Sequence, residues 1–400
     1  MRKIVSLFLS VAVISIFGIL HDSFASTVKI GAAVSLTGRF AREGKFTRDG
    51  YLLWEKVVNQ NGGLKIGKKR YKVKIVYYDD ESNPTKSARL YEKLITDDKV
   101  IGLLGPYSSG ITIPTSSIAE KYKIPMVEAE GASDKIFSRG YKFVFATLPL
   151  ASNYFRNILG LMTKIPGGPK NIAIVHSDAA FDTALAKGIV KWARSYNLKI
   201  VSNIEYTRGS TDLSTIIIKL KMKKPDAIIV TGHSHENLMF LRQAAEGQLR
   251  TKFLAFSSGV QSADFRKTAG KLSEGLFANA NWVATLPTKG KLFGTAADYA
   301  KLFKKTFGYE PPYQSAEATA AAIAIGKAIE NTGNFNPIAI RNNLRKLKLK
   351  TFYGYLHFNK NGSYSGSPVA IQVQQGKICT VYPLSVATCK PIYPIPSWSK

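Results

Sequence analysis

From Val28 to Gln374 the chain alternates short apolar runs with longer stretches whose apolar residues recur on one helical face. That alternation predicts strand followed by helix along most of its length. Val28–Leu36 is a mostly apolar run closed by Thr37-Gly38. Tyr51, Leu52, Trp54 and Val58 mark one face of a helix from about Lys45 to Asn59, which Asn61-Gly62-Gly63 stops. Tyr71–Tyr77 alternates as a strand. Asn83-Pro84 reads as a cap followed by a proline at the first position of a helix that runs to about Asp97. A strand at 100–105, a helix at 109–122 and a strand at 124–130 complete the series. Strands and helices in that order predict a parallel, doubly wound sheet with right-handed crossovers.

The pattern restarts after Tyr141–Leu148. Strands are expected at 171–176, 199–206, 226–231 and 252–256, with helices at 182–196, 212–222 and 235–246 between them. A strand-like stretch, Gly275–Trp282, leads to helices at 295–307, 313–331 and 336–347, the second of them Ala-rich. The end, 352–382, is β-rich with Asn359-Lys-Asn-Gly362 as a turn signal. Pro383–Lys400 reads as an extended, proline-containing tail. Two αβ series of similar size imply two lobes, and a mature chain of about 375 residues is long enough to give each its own core.

The first residues change the picture of where this happens. Arg2 and Lys3 precede an uncharged apolar run, Ile4–Leu20, and Ser23-Phe24-Ala25 places small residues where a signal peptidase needs them. Residues 1–25 are therefore expected to be a removed signal peptide, and the mature protein periplasmic; the run is short for a membrane anchor. Cys379 and Cys389 are the only cysteines. In an oxidising compartment they are expected to form a local disulfide.

Lys and Arg number 56 against 27 Asp and Glu, a net charge of +29, which loss of the signal lowers by one. Such an excess raises nucleic acid as a partner. The basic residues are dispersed, however, and the densest groups, Lys65–Arg70 and Arg341–Lys350, lie far apart in sequence. No nucleic-acid module is present, so no nucleic-acid partner is expected.

Candidate chemistry lies at the strand-to-helix junctions, because ligands of doubly wound sheets bind beyond the carboxyl ends of the strands where strand order reverses. The segment Tyr107-Ser108-Ser109-Gly110 supplies hydroxyls and the free N–H groups of a helix start, which favour an anion. Glu130-Gly131-Ala132, after the next strand, adds N–H groups that the glycine lets approach closely. Ser is also an ordinary helix cap, so these features alone leave a plain structural role open. His233-Ser-His235-Glu236 lacks the spacing of a metal site. Ser108 and Ser109 lack the Gly-x-Ser-x-Gly elbow of a hydrolase, and Gly105–Gly110 lacks the Lys-Ser/Thr ending of a P-loop. No catalytic residue, no metal and no cofactor are expected, and the protein is read as no enzyme.

Several motifs together resemble the periplasmic solute-binding proteins of the leucine/isoleucine/valine-binding family: Ile30-Gly-Ala-Ala-Val-Ser-Leu-Thr-Gly38, Asn61-Gly-Gly63, Tyr78-Asp-Asp-Glu-Ser-Asn-Pro84, Ile101–Ser109, Arg139-Gly-Tyr141 and Leu241-Arg-Gln-Ala244. The resemblance implies the type I fold, two αβα lobes joined by three crossings: residues 26–148 with 283–350 in lobe one, 149–282 with 351–382 in lobe two, and a tail at 383–400. It further implies that Ser109 holds a ligand carboxylate, that Glu130 and Ala132 are contacts from the next strand, and that Phe181 is an aromatic lid from lobe two. His233 stands where branched-chain amino acid binders have Tyr, and Tyr313 matches an aromatic wall. Ser258 falls where those binders place the acid that pairs with the ligand's ammonium. Glu130, Glu43 or Glu236 would have to replace that acid, with Glu130 best placed. The expected function is a monomeric receptor that delivers an amino acid, amide or carboxylate to the permease of an ABC importer. A ligand sensor that docks on a membrane receptor or regulator without transport is the alternative.

Overall fold

The computed structural model describes residues 27–396, so the expected signal segment and residues 397–400 lie outside the described residues. Two sheets carry the architecture. The first is ordered Val73–Asp79, Val28–Val34, Leu103–Leu104, Met126–Glu128, Val144–Ala146, with every neighbouring pair parallel. The second is ordered Lys377–Tyr382, Val369–Gln374, Phe277–Ala280, Phe253–Phe256, Ala227–Thr231, Asn171–Ser177, Lys199–Tyr206. It is parallel except at Val369–Gln374, which joins both Phe277–Ala280 and Lys377–Tyr382 antiparallel. With helices on both faces of each sheet, these are two doubly wound αβα lobes.

Strand order reverses once in each lobe. In lobe one the reversal lies between Val28–Val34 and Leu103–Leu104, and in lobe two between Asn171–Ser177 and Ala227–Thr231. The loops leaving these four strands, which begin at Ser35, Gly105, Asp178 and Gly232, therefore mark each lobe's ligand crevice.

Helix Tyr313–Thr332 lies against helix Ala41–Gln60 on one face of the first sheet, and small residues set their distance. A Cβ at Gly326 would lie 2.4 Å from the Trp54 ring, and one at Gly50 would lie 2.3 Å from Ser315 O. The close approach lets Ser315 Oγ donate to Phe46 O and Thr319 Oγ1 to Gly50 O. The alanines read in sequence as an apolar helix are thus a packing surface, and all of Tyr313–Gly326 is buried.

Most expected elements are present within a few residues. Asn83 caps helix Pro84–Thr96 by accepting from Thr85 N and Lys86 N. The helix expected from Lys45 begins earlier, at Ala41. Gly44 permits that start, because any side chain there would collide with Ser35 O. A hairpin, Leu64–Ile66 with Lys69–Tyr71, precedes strand Val73–Asp79 where one continuous strand was expected. Helices Arg156–Met162 and Ala263–Ala269 were not expected. Both are short, and seven residues offer too few turns for a clear period.

Phe352, Tyr353, Leu356 and Phe358 pack in the lobe-one core, beyond the return to lobe two expected at 351. The tail after Pro383 lies back on lobe two: Ile395 joins its core and Ile395 N donates to Lys252 O. A disulfide joins Cys379 to Cys389. Among the described residues, no helix is long and apolar enough to cross a membrane.

Candidate functional site

The two crevices face each other and are in contact. Tyr107 leaves the lobe-one strand Leu103–Leu104, and His233 caps the lobe-two helix Ser234–Glu246. The Tyr107 hydroxyl and His233 Nδ1 lie 2.8 Å apart, both buried. Phe40 packs on both rings, and Phe181 stacks on His233 with centroids 5.5 Å apart. Further out, Arg39 pairs with Glu236 at 3.0 Å and Arg42 with Asp264 at 3.2 Å, each a lobe-one base with a lobe-two acid. Burial pushes His233 down to about 4, with Arg208 and Arg39 adding to the effect, so its ring is neutral at physiological pH.

Behind this bridge a small cavity is walled by Tyr107, Tyr154, Phe181, Tyr313 and His233. Leu148, Ser258 and Glu130 complete its lining, and no Lys or Arg contributes. Its free volume is about 10 Å³, room for roughly one water molecule. Anything larger than a water molecule needs the rings or the lobes to part.

Of the residues proposed from sequence, Tyr107, Glu130, Phe181, His233 and Ser258 meet at this cavity. Ser258 carries no charge, and its hydroxyl donates to Gly232 O at 2.7 Å. Ser108, Ser109, Gly110, Gly131 and Ala132 are not on its lining. Ser109 Oγ instead accepts from Ser133 N at 3.0 Å, beside the start of helix Ser109–Tyr122.

Two of the N–H groups expected to hold a ligand anion, those of Glu130 and Gly131, are taken by the protein itself. Glu128, at the end of strand Met126–Glu128 and fully buried, accepts from Glu130 N and Gly131 N through Oε1. Its Oε2 accepts from Thr112 Oγ1 at 3.1 Å. Two glycines make the room. A Cβ on Gly105 would lie 1.9 Å from Glu128 Oε2, and one on Gly131 would lie 2.6 Å from Thr112 Oγ1. Burial pushes Glu128 up to about 7 against the pull of these hydrogen bonds. Sequence reasoning missed Glu128, although an acid closing an otherwise apolar strand was a visible signal.

Glu130 is 6 % exposed and its Oε1 has no partner. Burial first, then the carboxylates of Glu317, Glu128 and Glu43, hold its carboxyl far above the ordinary range. Glu317, the buried acid in an Ala-rich helix, was also missed. Its Oε1 accepts from Asn281 Nδ2 at 2.6 Å and from the Tyr353 hydroxyl at 3.3 Å. Asn281 Nδ2 also reaches the Tyr154 hydroxyl, and Thr147 Oγ1 donates to Glu317 O. Glu317 thus ties together segments near all three crossings between the lobes. Its Oε2 has no partner. Among the described residues, no group of three or more His, Cys, Asp or Glu is arranged to hold a metal ion.

Residues 27–377 match the model of a family described as periplasmic binding protein. The Leu/Ile/Val-binding protein homolog 8 of Brucella abortus (strain 2308) is 28% identical over 386 residues, covering 91% of this chain and 92% of that protein. The leucine-binding protein LivK of Thermotoga maritima superposes with a TM-score of 0.80 at 20% identity, over 89% of this chain and 98% of its own. A solute-binding protein of an ABC transporter from R. palustris, solved with benzoate, gives 0.77 at 19% identity over 91% and 99%.

Proposed function

Since the chain belongs to the periplasmic binding protein family, in its Leu/Ile/Val-binding branch, we propose that it is the solute receptor of an ABC importer. On this reading it captures a small amino-acid-like solute between its lobes and presents the closed form to a membrane permease. It performs no reaction on the solute. The observation that carries the reading is the cavity shared by the two crevices, walled by side chains of both lobes and bridged by Tyr107 and His233. A solute that touches both walls favours the closed arrangement by its extra contacts there, which is all that closure requires. Tyr107, Ser108, Ser109, Gly110, Glu130, Gly131 and Ala132 form the lobe-one side of the proposed site, and Phe181, His233 and Ser258 the lobe-two side.

The relatives differ in what they hold: benzoate in the R. palustris protein, isoleucine in LivJ of Streptococcus pneumoniae. The fold therefore does not choose the solute, and the lining does. The test is a thermal-shift screen of amino acids, amino amides, amines and carboxylates on the mature protein. A native-state ligand raises the melting temperature by mass action. Alanine at Tyr107 and His233 together should abolish the rise. A rise that survives in that double variant, or no rise with any class, overturns the reading.

A further inference from the structure

The resemblance to the Leu/Ile/Val-binding family implies a solute read by its carboxylate, yet part of the seat for that group is filled from within. Glu130 N and Gly131 N both donate to the buried carboxyl of Glu128. A solute carboxylate placed there would displace Glu128 or sit beside it, and two like charges out of water repel strongly. The remaining donors at the helix start, around Ser109, do not line the cavity.

The cavity itself has the opposite character. Glu130 lines it with a buried, unpartnered Oε1. Glu317 lies close enough to raise the Glu130 carboxyl, and its Oε2 is also without a partner. No basic side chain lines the space, in a chain whose net charge is +29. Tyr107, Tyr154, Phe181 and Tyr313 surround it with aromatic rings, whose faces attract a cation. Buried carboxyl oxygens without a partner are costly unless a cation or donor meets them. Among the described residues the acids are not arranged for a metal ion; an organic ammonium fits, the raised Glu130 carboxyl giving up its proton as the cation meets it.

We propose that the cleft selects its solute by an ammonium group held against Glu130 inside this aromatic enclosure, and that a carboxylate on the solute is dispensable. The class is an amine, or an amino acid amide or ester. This rests on the cleft being the solute site, as proposed above.

Two matched series separate the charges: leucinamide, leucine and 4-methylpentanoate, then phenylalaninamide, phenylalanine and 3-phenylpropanoate. Each is titrated into the full mature protein by calorimetry. The expected result is that at least one amide binds roughly tenfold or more tighter than its parent amino acid, while neither carboxylate binds. Glu130→Gln should remove amide binding, and Glu130→Asp, which keeps the charge but withdraws it, should weaken it less. Thermal melts report whether these variants fold, and if they do not, the wild-type series decides alone. A carboxylate or free amino acid that binds more tightly than its amide overturns this inference while leaving the receptor reading intact. Absence of amide binding at millimolar concentration, or an amide held equally well by Glu130→Gln, also overturns it. Failure of every solute class in the thermal screen would instead remove the receptor reading.

Discussion

The Tyr107 hydroxyl lies 2.8 Å from His233 Nδ1 and spans the gap between the lobes. With His233 neutral, the hydroxyl and the ring nitrogen share one hydrogen bond whose direction follows the imidazole tautomer, and both groups are shielded from water. Tyr107→Phe leaves that nitrogen buried and unpaired, at a cost of about 1 kcal/mol to the closed form alone. Solute affinity should fall by roughly five- to tenfold, with a larger radius of gyration by small-angle scattering in the absence of solute. Unchanged affinity and radius would show that the bridge does not bias closure.

Stability should rise on mild acidification. Burial pushes Glu128 from 4.5 and Asp182 from 3.8 up to about 7 each. Both therefore take up protons on folding, and the stability they contribute at low pH is lost as pH climbs toward 7. Glu130 and Glu317, also raised, act in the same direction. His233 opposes them: it is pushed from 6.5 to about 4, so its share is lost as pH falls through that window. The carboxyls outnumber it, and between pH 7.5 and 5.5 a net gain on the order of 2 kcal/mol is expected. Calorimetric melts at matched ionic strength should show a Tm several degrees higher at pH 5.5. Glu128→Gln should reduce that rise, and a flat profile in the wild type would contradict the assignment.

Gly105 is expected to tolerate no side chain while Glu128 keeps its place. In Gly105→Ala the new methyl would meet Glu128 Oε2 at 1.9 Å, and relieving such an overlap in a packed site costs about 1–3 kcal/mol. Pairing it with Glu128→Ala removes the two nearest contacts and leaves the approach to Glu128 Cα at 2.9 Å. The double variant should therefore be more stable than the sum of the two single losses allows, as a double-mutant cycle by denaturant titration will show. Strict additivity would mean that the two positions do not compete for the same room.

The disulfide should matter to stability and not to binding. Cys379 and Cys389 are ten positions apart, and neither lines the cavity shared by the lobes. Closing so short a loop removes unfolded-state entropy worth about 3 kcal/mol. The double Ser variant should lose that much in denaturant titration and keep its solute affinity. A loss of affinity would place the tail in the binding equilibrium.

The repeated strand-helix order, the Asn83-Pro84 cap and the glycine-bounded junctions were legible in the sequence because each depends on local periodicity or a backbone requirement. Tyr107 and Glu130 were found for the same reason, because they sit just past strand ends, whereas Phe181, His233 and Ser258 came from the resemblance to the Leu/Ile/Val-binding family. Glu128 and Glu317 were not found. What matters about them is which donors they reach: Glu128 takes Thr112 as well as its near neighbours Glu130 N and Gly131 N, and Glu317 takes Asn281 and Tyr353, distant along the chain. The early return expected at 351 failed similarly, because the rings at 352–358 look like any β-rich segment until the lobe-one core that receives them is known.

Glu317 stands behind the cavity and also gathers Thr147, Asn281 and Tyr353 from the three connecting strands of chain. Its carboxyl accepts from Asn281 and Tyr353 while its backbone oxygen accepts from Thr147, so a single residue next to Glu130 also joins the segments about which the lobes bend. A substitution that retunes taste at this position must also alter the mechanical response, so drift toward new solutes has easier routes through the aromatic walls than through this acid.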